Sequence, residues 1–267
     1  MSKFSFEDLK GKVCLITGGS GVIGTSLGMA LVGVGARVVL MSRSENSSSN
    51  IAKTIKEQTG GEIIGIQADV LNRQSLEQAN QHIKDTFGPV EILINGAGGN
   101  APSATTKVEM MDNTNLDDLS GTFYDLDLDG FRQVFDLNLL GTLLPSMIFT
   151  KEMLKKGKGV VLNISSMNAY RPLTKIPAYS AAKSSINNFT EWLSVHLART
   201  GIRVNAVAPG FFLTNQNRFL LTEEKTGELT PRGSRILTNT PMGRFGEPDD
   251  LQGAVLYLIS DLSAFVT

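Results

Sequence analysis

Two side chains of this sequence, Tyr179 and Lys183, have types and a spacing suited to moving a proton. Tyr179 and Lys183 stand four apart in a helical pattern whose apolar face runs Ile186, Phe189, Leu193 and Leu197, so phenol and ammonium share one face. A free phenol, with a pKa near 10, exchanges protons poorly at neutral pH. A neighbouring ammonium favours the phenolate and brings the group into its working range. Taken alone, Y-x-x-x-K is also a common surface pair. Its context matters here: the apolar run Val160–Ile164 ends in Ser165-Ser166, and Ser166 lies thirteen residues before Tyr179. A serine at the carboxyl end of a strand is placed where open α/β sheets bind their ligands. Asn138 lies in a further helical segment, as Asn138-Leu139-Leu140-Gly141.

A second constellation points to a phosphate-bearing ligand. Lys12–Thr17 reads as a strand feeding Gly18, Gly19, Ser20, Gly21, Val22, Ile23 and Gly24, a glycine-rich turn that opens a helix. Bare backbone there lets N–H groups at a helix N-terminus approach a pyrophosphate. After the second strand, Ser42 and Arg43 offer a hydroxyl and a guanidinium, with no acid before Glu45. That pattern suits the 2′-phosphate of NADP, although Arg43 stacked on the adenine or facing water leaves NAD open. Asp69 and Val70 close the third strand, where Asp69 suits either the adenine amino group or a helix N-cap. Asn95, Gly96 and Ala97 end the fourth.

Positioning these groups requires a sheet. Val- and Ile-rich runs at Val13–Ile16, Val38–Met41, Ile63–Ile66, Ile92–Ile94, Val160–Ile164 and Val204–Val207 suit strands buried on both faces. Segments of helical length separate them, including Ile23–Val34, Ser75–Phe87, Arg132–Lys155 and Ala178–Arg199. The expectation is α/β: one doubly wound, Rossmann-type domain over residues 1–267, its parallel sheet flanked by helices. Two stretches interrupt the rhythm, an acidic, Asx-rich insertion at 100–129 and a polar one at 211–246 that reads as a substrate lid.

Composition narrows the class. Twenty-five basic against 26 acidic residues give a net charge of −1, which argues against nucleic acid or an anionic membrane as partner. A single cysteine, Cys14, and two distant histidines, His82 and His196, exclude a disulfide framework and leave no Cys/His metal site. The first ten residues do not read as a signal peptide, and a cytoplasmic location is expected. Ser165-Ser166 lacks the G-x-S-x-G elbow of a serine hydrolase. A dinucleotide-sensing protein without turnover would be expected to lack part of the Asn, Ser, Tyr, Lys set, all of which is present.

Together these motifs resemble the short-chain dehydrogenase/reductase family over essentially the whole chain. The resemblance implies an NAD(P)-dependent oxidoreductase in which Tyr179 transfers the proton and Ser166 binds the substrate oxygen. Lys183 would lower the tyrosine pKa and hold the nicotinamide ribose, and Asn138 would hold a water linking Lys183 to solvent. Pro209, Gly210, Phe212 and Thr214 would flank the nicotinamide. One departure stands out: the family's second turn glycine is Val22 here, with Gly21 one place earlier.

The run S-S-M-N-A-Y-R-P-L-T-K-I-P-A-Y-S, with P-G-F-F-L-T-N-Q-N-R-F-L-L, resembles the D-mannonate oxidoreductase, or fructuronate reductase, branch. Gluconate 5-dehydrogenase is the nearest alternative. Asn168, Arg171, Asn215 and Arg218 are the substrate candidates, with Arg232, Arg235 and Arg244 as further cations suited to a carboxylate. The family implies a tetramer or dimer formed partly through the helices bearing Asn138 and Tyr179. Its members continue past a helix like Asp249–Ser260 into a last strand, so a sequence stopping at Thr267 is expected to be one strand short.

Overall fold

The computed structural model describes residues 5–113, 117–213, 221–223 and 226–267. Six strands form one parallel sheet: β1 (Val13–Thr17), β2 (Arg37–Ser42), β3 (Ile63–Gln67), β4 (Ile92–Asn95), β5 (Gly159–Ile164) and β6 (Ile202–Val207). Their order is β3-β2-β1-β4-β5-β6. The chain winds outward in both directions from β1 and β4, so a crevice opens between the carboxyl ends of these two neighbours.

Continuous apolar runs, rather than alternating ones, follow from having helices on both faces. Cys14 and Ile16 of β1 pack with Leu27 and Leu31 of α1 (Val22–Gly33), Ile55 of α2 (Glu45–Thr59) and Val255 and Ile259. Val13 and Leu15, on the opposite face, meet Leu76 and Ile83 of α3 (Arg73–Thr86) together with Ile148, Phe149, Met153 and Leu193. Helix α2 is too polar to announce itself in the sequence. It forms against β3 because Gly65 leaves room for its backbone: a Cβ there would lie 2.3 Å from the Ser48 carbonyl carbon.

The single helix expected over Arg132–Lys155 is three pieces. These are α4 (Leu128–Phe135), a π turn (Asp136–Leu140) and α5 (Gly141–Lys156). Such a widened turn often marks a functional position, and this one carries Asn138. Helix α6 (Pro177–Leu197) carries Tyr179 and Lys183. The polar insertion after β6 contains α7 (Pro231–Thr238), capped by the Thr230 hydroxyl, which accepts from the Gly233 amide at 3.0 Å. Helix α8 (Gln252–Ile259) then returns to the sheet. Among the described residues no helix is long and apolar enough to cross a membrane, and no cluster of His, Cys, Asp and Glu could hold a metal ion.

Candidate active site

The carboxyl ends of β1 and β4 are tied by Thr17, whose hydroxyl accepts from the amides of Gly96 and Ala97 at 3.1 and 3.2 Å. Gly18 turns out of β1 with φ +67°, and a Cβ on it would stand 2.8 Å from the Gly96 carbonyl. Gly24 lies so close to Gly18 and Gly19 that a Cβ would meet backbone at 2.7 Å. Helix α1 therefore starts hard against the strand. Its N-cap, Gly21, has no side chain to accept from the first turn, and that turn carries no acid. The amides of Val22, Ile23 and Gly24 are left for an anion. The shift of a glycine from position 22 to 21 costs nothing in backbone, because Val22 is simply the first helical residue.

On the other side of the crevice, β5 delivers two serines in opposite directions, as successive residues of an extended chain must. The Ser165 hydroxyl donates to Asn187 Oδ1 on α6. Ser166 instead meets Tyr179 through a side-chain hydrogen bond and accepts from the Asn168 amide at 3.2 Å. Lys183, 4% exposed, donates to the Ile164 carbonyl at 2.8 Å, with its Nζ 5.6 Å from the centre of the Tyr179 ring. Asn138 is fully buried: its Nδ2 donates to the carbonyls of Gly99 (2.8 Å) and Val134 (2.7 Å). A Cβ on Gly98 would lie 2.6 Å from Asn138 Oδ1 and 3.3 Å from Lys183 Nζ, so this glycine lets the two side chains meet the chain that follows β4.

Burial sets the protonation states. Desolvation pushes the Lys183 ammonium down to about 8. Desolvation also raises the Tyr179 phenol above its ordinary value, opposed by the hydrogen bond from Ser166. The expected depression of the tyrosine by Lys183 is thus not what this geometry produces. Removal of the phenol from water outweighs the Ser166 hydrogen bond, which favours the phenolate.

The family model described as short chain dehydrogenase matches residues 12–225. The chain belongs to the short-chain dehydrogenase family. Its sequence is 47% identical over 262 residues, 98% of this chain and 92% of the relative, to an uncharacterised oxidoreductase, UxuB, of Bacillus subtilis. A crystal structure of a candidate D-mannonate oxidoreductase from Haemophilus influenzae, with bound NAD, is 46% identical, with a TM-score of 0.90 over 96% of this chain and 90% of that one. A gluconate 5-dehydrogenase from Burkholderia cenocepacia, in complex with NADP and tartrate, is 26% identical with a TM-score of 0.82, covering 98% and 93% of the two chains. As a short-chain dehydrogenase, this protein is an NAD(P)-dependent oxidoreductase acting on CH–OH groups.

In this dehydrogenase the remaining residues singled out by sequence fall as follows. Ser42 donates its hydroxyl to the Ser44 carbonyl at 2.7 Å, and Arg43 is exposed. Asp69 is not the cap of α3: Asn72 takes that place, accepting from the Ser75 amide at 3.0 Å, while Asp69 accepts from Leu71 at 2.9 Å. Val70 is buried against Gly141, where a Cβ would lie 3.0 Å from its Cγ2. Pro209 is buried and accepts from the Met167 amide at 2.9 Å, which ties the start of the segment after β6 to the neighbour of Ser166. Gly210 is exposed, and Phe212 bridges to Gly246. Asn168 is buried and Arg171 exposed. Thr214, Asn215 and Arg218 lie outside the described residues.

Sequence reasoning passed over Asn163 and Asn187. Asn163 receives a hydrogen bond from Asn95 Nδ2 at 2.9 Å and donates to the Thr190 hydroxyl at 2.9 Å, locking β4, β5 and α6 together under the site. An asparagine inside the apolar run Val160–Ile164 was the available signal, since a buried amide must find partners.

Proposed function

We propose that this enzyme interconverts a keto sugar acid and its hydroxy acid, D-fructuronate and D-mannonate. The observation that carries this reading beyond the family is Asn168. Its Oδ1, two residues beyond Ser166, is buried without a hydrogen-bond partner among the described residues, an arrangement costly in a protein interior unless a ligand hydroxyl completes it. A polyhydroxylated substrate supplies such groups, and the exposed Arg171 is available to a carboxylate. The Haemophilus structure supports the same substrate class, and the Burkholderia enzyme favours the second reading, reduction of 5-ketogluconate.

Gly18–Gly24, Asn95–Ala97, Tyr179 and Lys183 would hold the dinucleotide, with Asp69 and Val70 at its adenine end and Pro209–Phe212 and Thr214 at its nicotinamide end. A bound nicotinamide supplies or accepts the hydride. Tyr179 gives its proton to the carbonyl oxygen as that oxygen gains charge, and Ser166 donates a hydrogen bond to the same atom. A phenol raised by burial is fully protonated at neutral pH, which suits reduction. The reverse reaction needs the phenolate and is expected to accelerate as pH rises.

The Arg43 guanidinium makes no hydrogen bond or ion pair with the described residues and supports NADP, whereas NAD in the Haemophilus relative supports the other cofactor. Exposed Met147 and Leu154 on α5, with Trp192 and Val195 on α6, support a homo-oligomer built on those helices. Loss of the reduced-nicotinamide absorbance on adding D-fructuronate tests the reading.

A further inference from the structure

The cations of the lid are not equally available. Arg244 is held in a two-pronged pair by Asp250, at 2.6 and 3.1 Å. Arg232 and Arg235 stand three apart on α7 and converge on Glu109 of the first insertion. Arg235 Nη1 donates to Glu109 Oε2, and Arg232 Nη1 lies 3.8 Å from Oε1. Glu109 also feels the positive charge of Lys175, and the Lys175 carbonyl accepts from the Thr106 amide at 3.0 Å. Three segments distant in sequence therefore meet at one carboxylate: the insertion at 100–129, the loop just before Tyr179, and α7.

The segment that carries α7 has a second attachment. It leaves the sheet at Pro209, beside Met167 and Ser166, and returns at Gly246, whose amide donates to the Phe211 carbonyl at 2.8 Å. The lid is thus rooted on the Ser166 side and fastened on the side from which the chain enters Tyr179. Ala104, in the same insertion as Glu109, packs with Val134 and Ala178 next to Tyr179, so this fastening point is itself built onto α6.

We propose that Glu109 is a positioning residue that seats helix α7 across the substrate opening. Exposed ion pairs add little to global stability, each changing an equilibrium by a few-fold at most. Glu109 is half-exposed and Arg235 largely so. The effect belongs to the lid's docking equilibrium and to substrate retention rather than to the fold or the chemical step. The choice of substrate for the test rests on the sugar-acid reading; the docking contact does not.

Glu109→Gln, Arg235→Gln and the double variant separate these roles. Each single variant is expected to raise KM for the keto acid about two- to fivefold while holding kcat within about twofold, with the double no worse than the more impaired single. Hydrogen exchange of the α7 amides, measured without substrate, should quicken in all three. If D-fructuronate is not turned over, KM is taken for whichever keto acid is, and the exchange result still judges the seat alone. Unchanged KM and exchange in Glu109→Gln, additive effects of the two substitutions, or a fall in kcat at constant KM would overturn the proposal.

Discussion

Lys183 donates its ammonium to the carbonyl of Ile164 at 2.8 Å, on the last residue of β5 and one short of the two serines. The lysine is thereby fixed by the same strand that delivers Ser166 to Tyr179, and three reacting or supporting groups share one rigid reference. The arrangement costs stability, because a cation is held out of water.

That cost has a pH signature. With a folded pKa near 8 against about 10.4 unfolded, the unfolded chain binds more protons between those values, so stability rises with pH across the window. Lys183→Met lacks this rise. Denaturant titrations from pH 7 to 10.5 should show wild type gaining roughly 3 kcal/mol relative to the variant. A constant difference across that range would mean that the lysine is not held near 8.

The two serines separate by direction. Ser165→Ala removes a hydrogen bond to Asn187 and should cost about 1 kcal/mol of stability with activity largely kept. Ser166→Ala should lower kcat roughly a hundredfold or more at little cost in stability. Steady-state kinetics beside thermal melts check the pair, and equal losses of activity would remove the basis for preferring Ser166.

Gly98 is the tightest point of the site. In Gly98→Ala the new methyl, placed 2.6 Å from Asn138 Oδ1, must push that side chain or β4, with an expected destabilisation of about 1–3 kcal/mol and a marked fall in kcat. Gly33→Ala, where nothing lies within 4 Å, is the control and should be neutral or slightly stabilising. Comparable melting temperatures for the two variants would contradict the close packing.

Arg43→Ala should weaken NADPH about tenfold or more while leaving NADH nearly unchanged, since only the former carries a phosphate for the guanidinium to grip. Dissociation constants for both cofactors decide it, and equal effects would place Arg43 elsewhere on the nucleotide.

Much of this was legible in the sequence because it depends on local pattern. Val- and Ile-rich runs betray strands buried on both faces, and the thirteen-residue interval from Ser166 to Tyr179 survives as a contact because strand and helix are both stiff. Helix α2 was not legible, since its apolar stripe is only Ile51, Ala52 and Ile55 in an otherwise polar segment and its place depends on Gly65 of a neighbouring strand. The π turn at Asn138 was hidden inside a pattern that reads as one long helix. Partners far along the chain were beyond reach. Glu109 and Arg235 are 126 positions apart, and Asn95 and Asn163 are 68 apart. The sign of the Tyr179 shift also needed coordinates, because burial and the Ser166 hydrogen bond oppose each other and only geometry says which is larger.

On the function proposed above, the short-chain dehydrogenase site selects a keto sugar acid. The measurement that decides it is kcat/KM for D-fructuronate, 5-ketogluconate and neutral D-fructose, with NADH and NADPH. D-Fructuronate is expected to lead with the better cofactor and the neutral ketose to trail it by two orders of magnitude or more, as a site built around polar groups rejects a substrate lacking its charged partner. Comparable values for D-fructose, or turnover confined to apolar ketones, would contradict it.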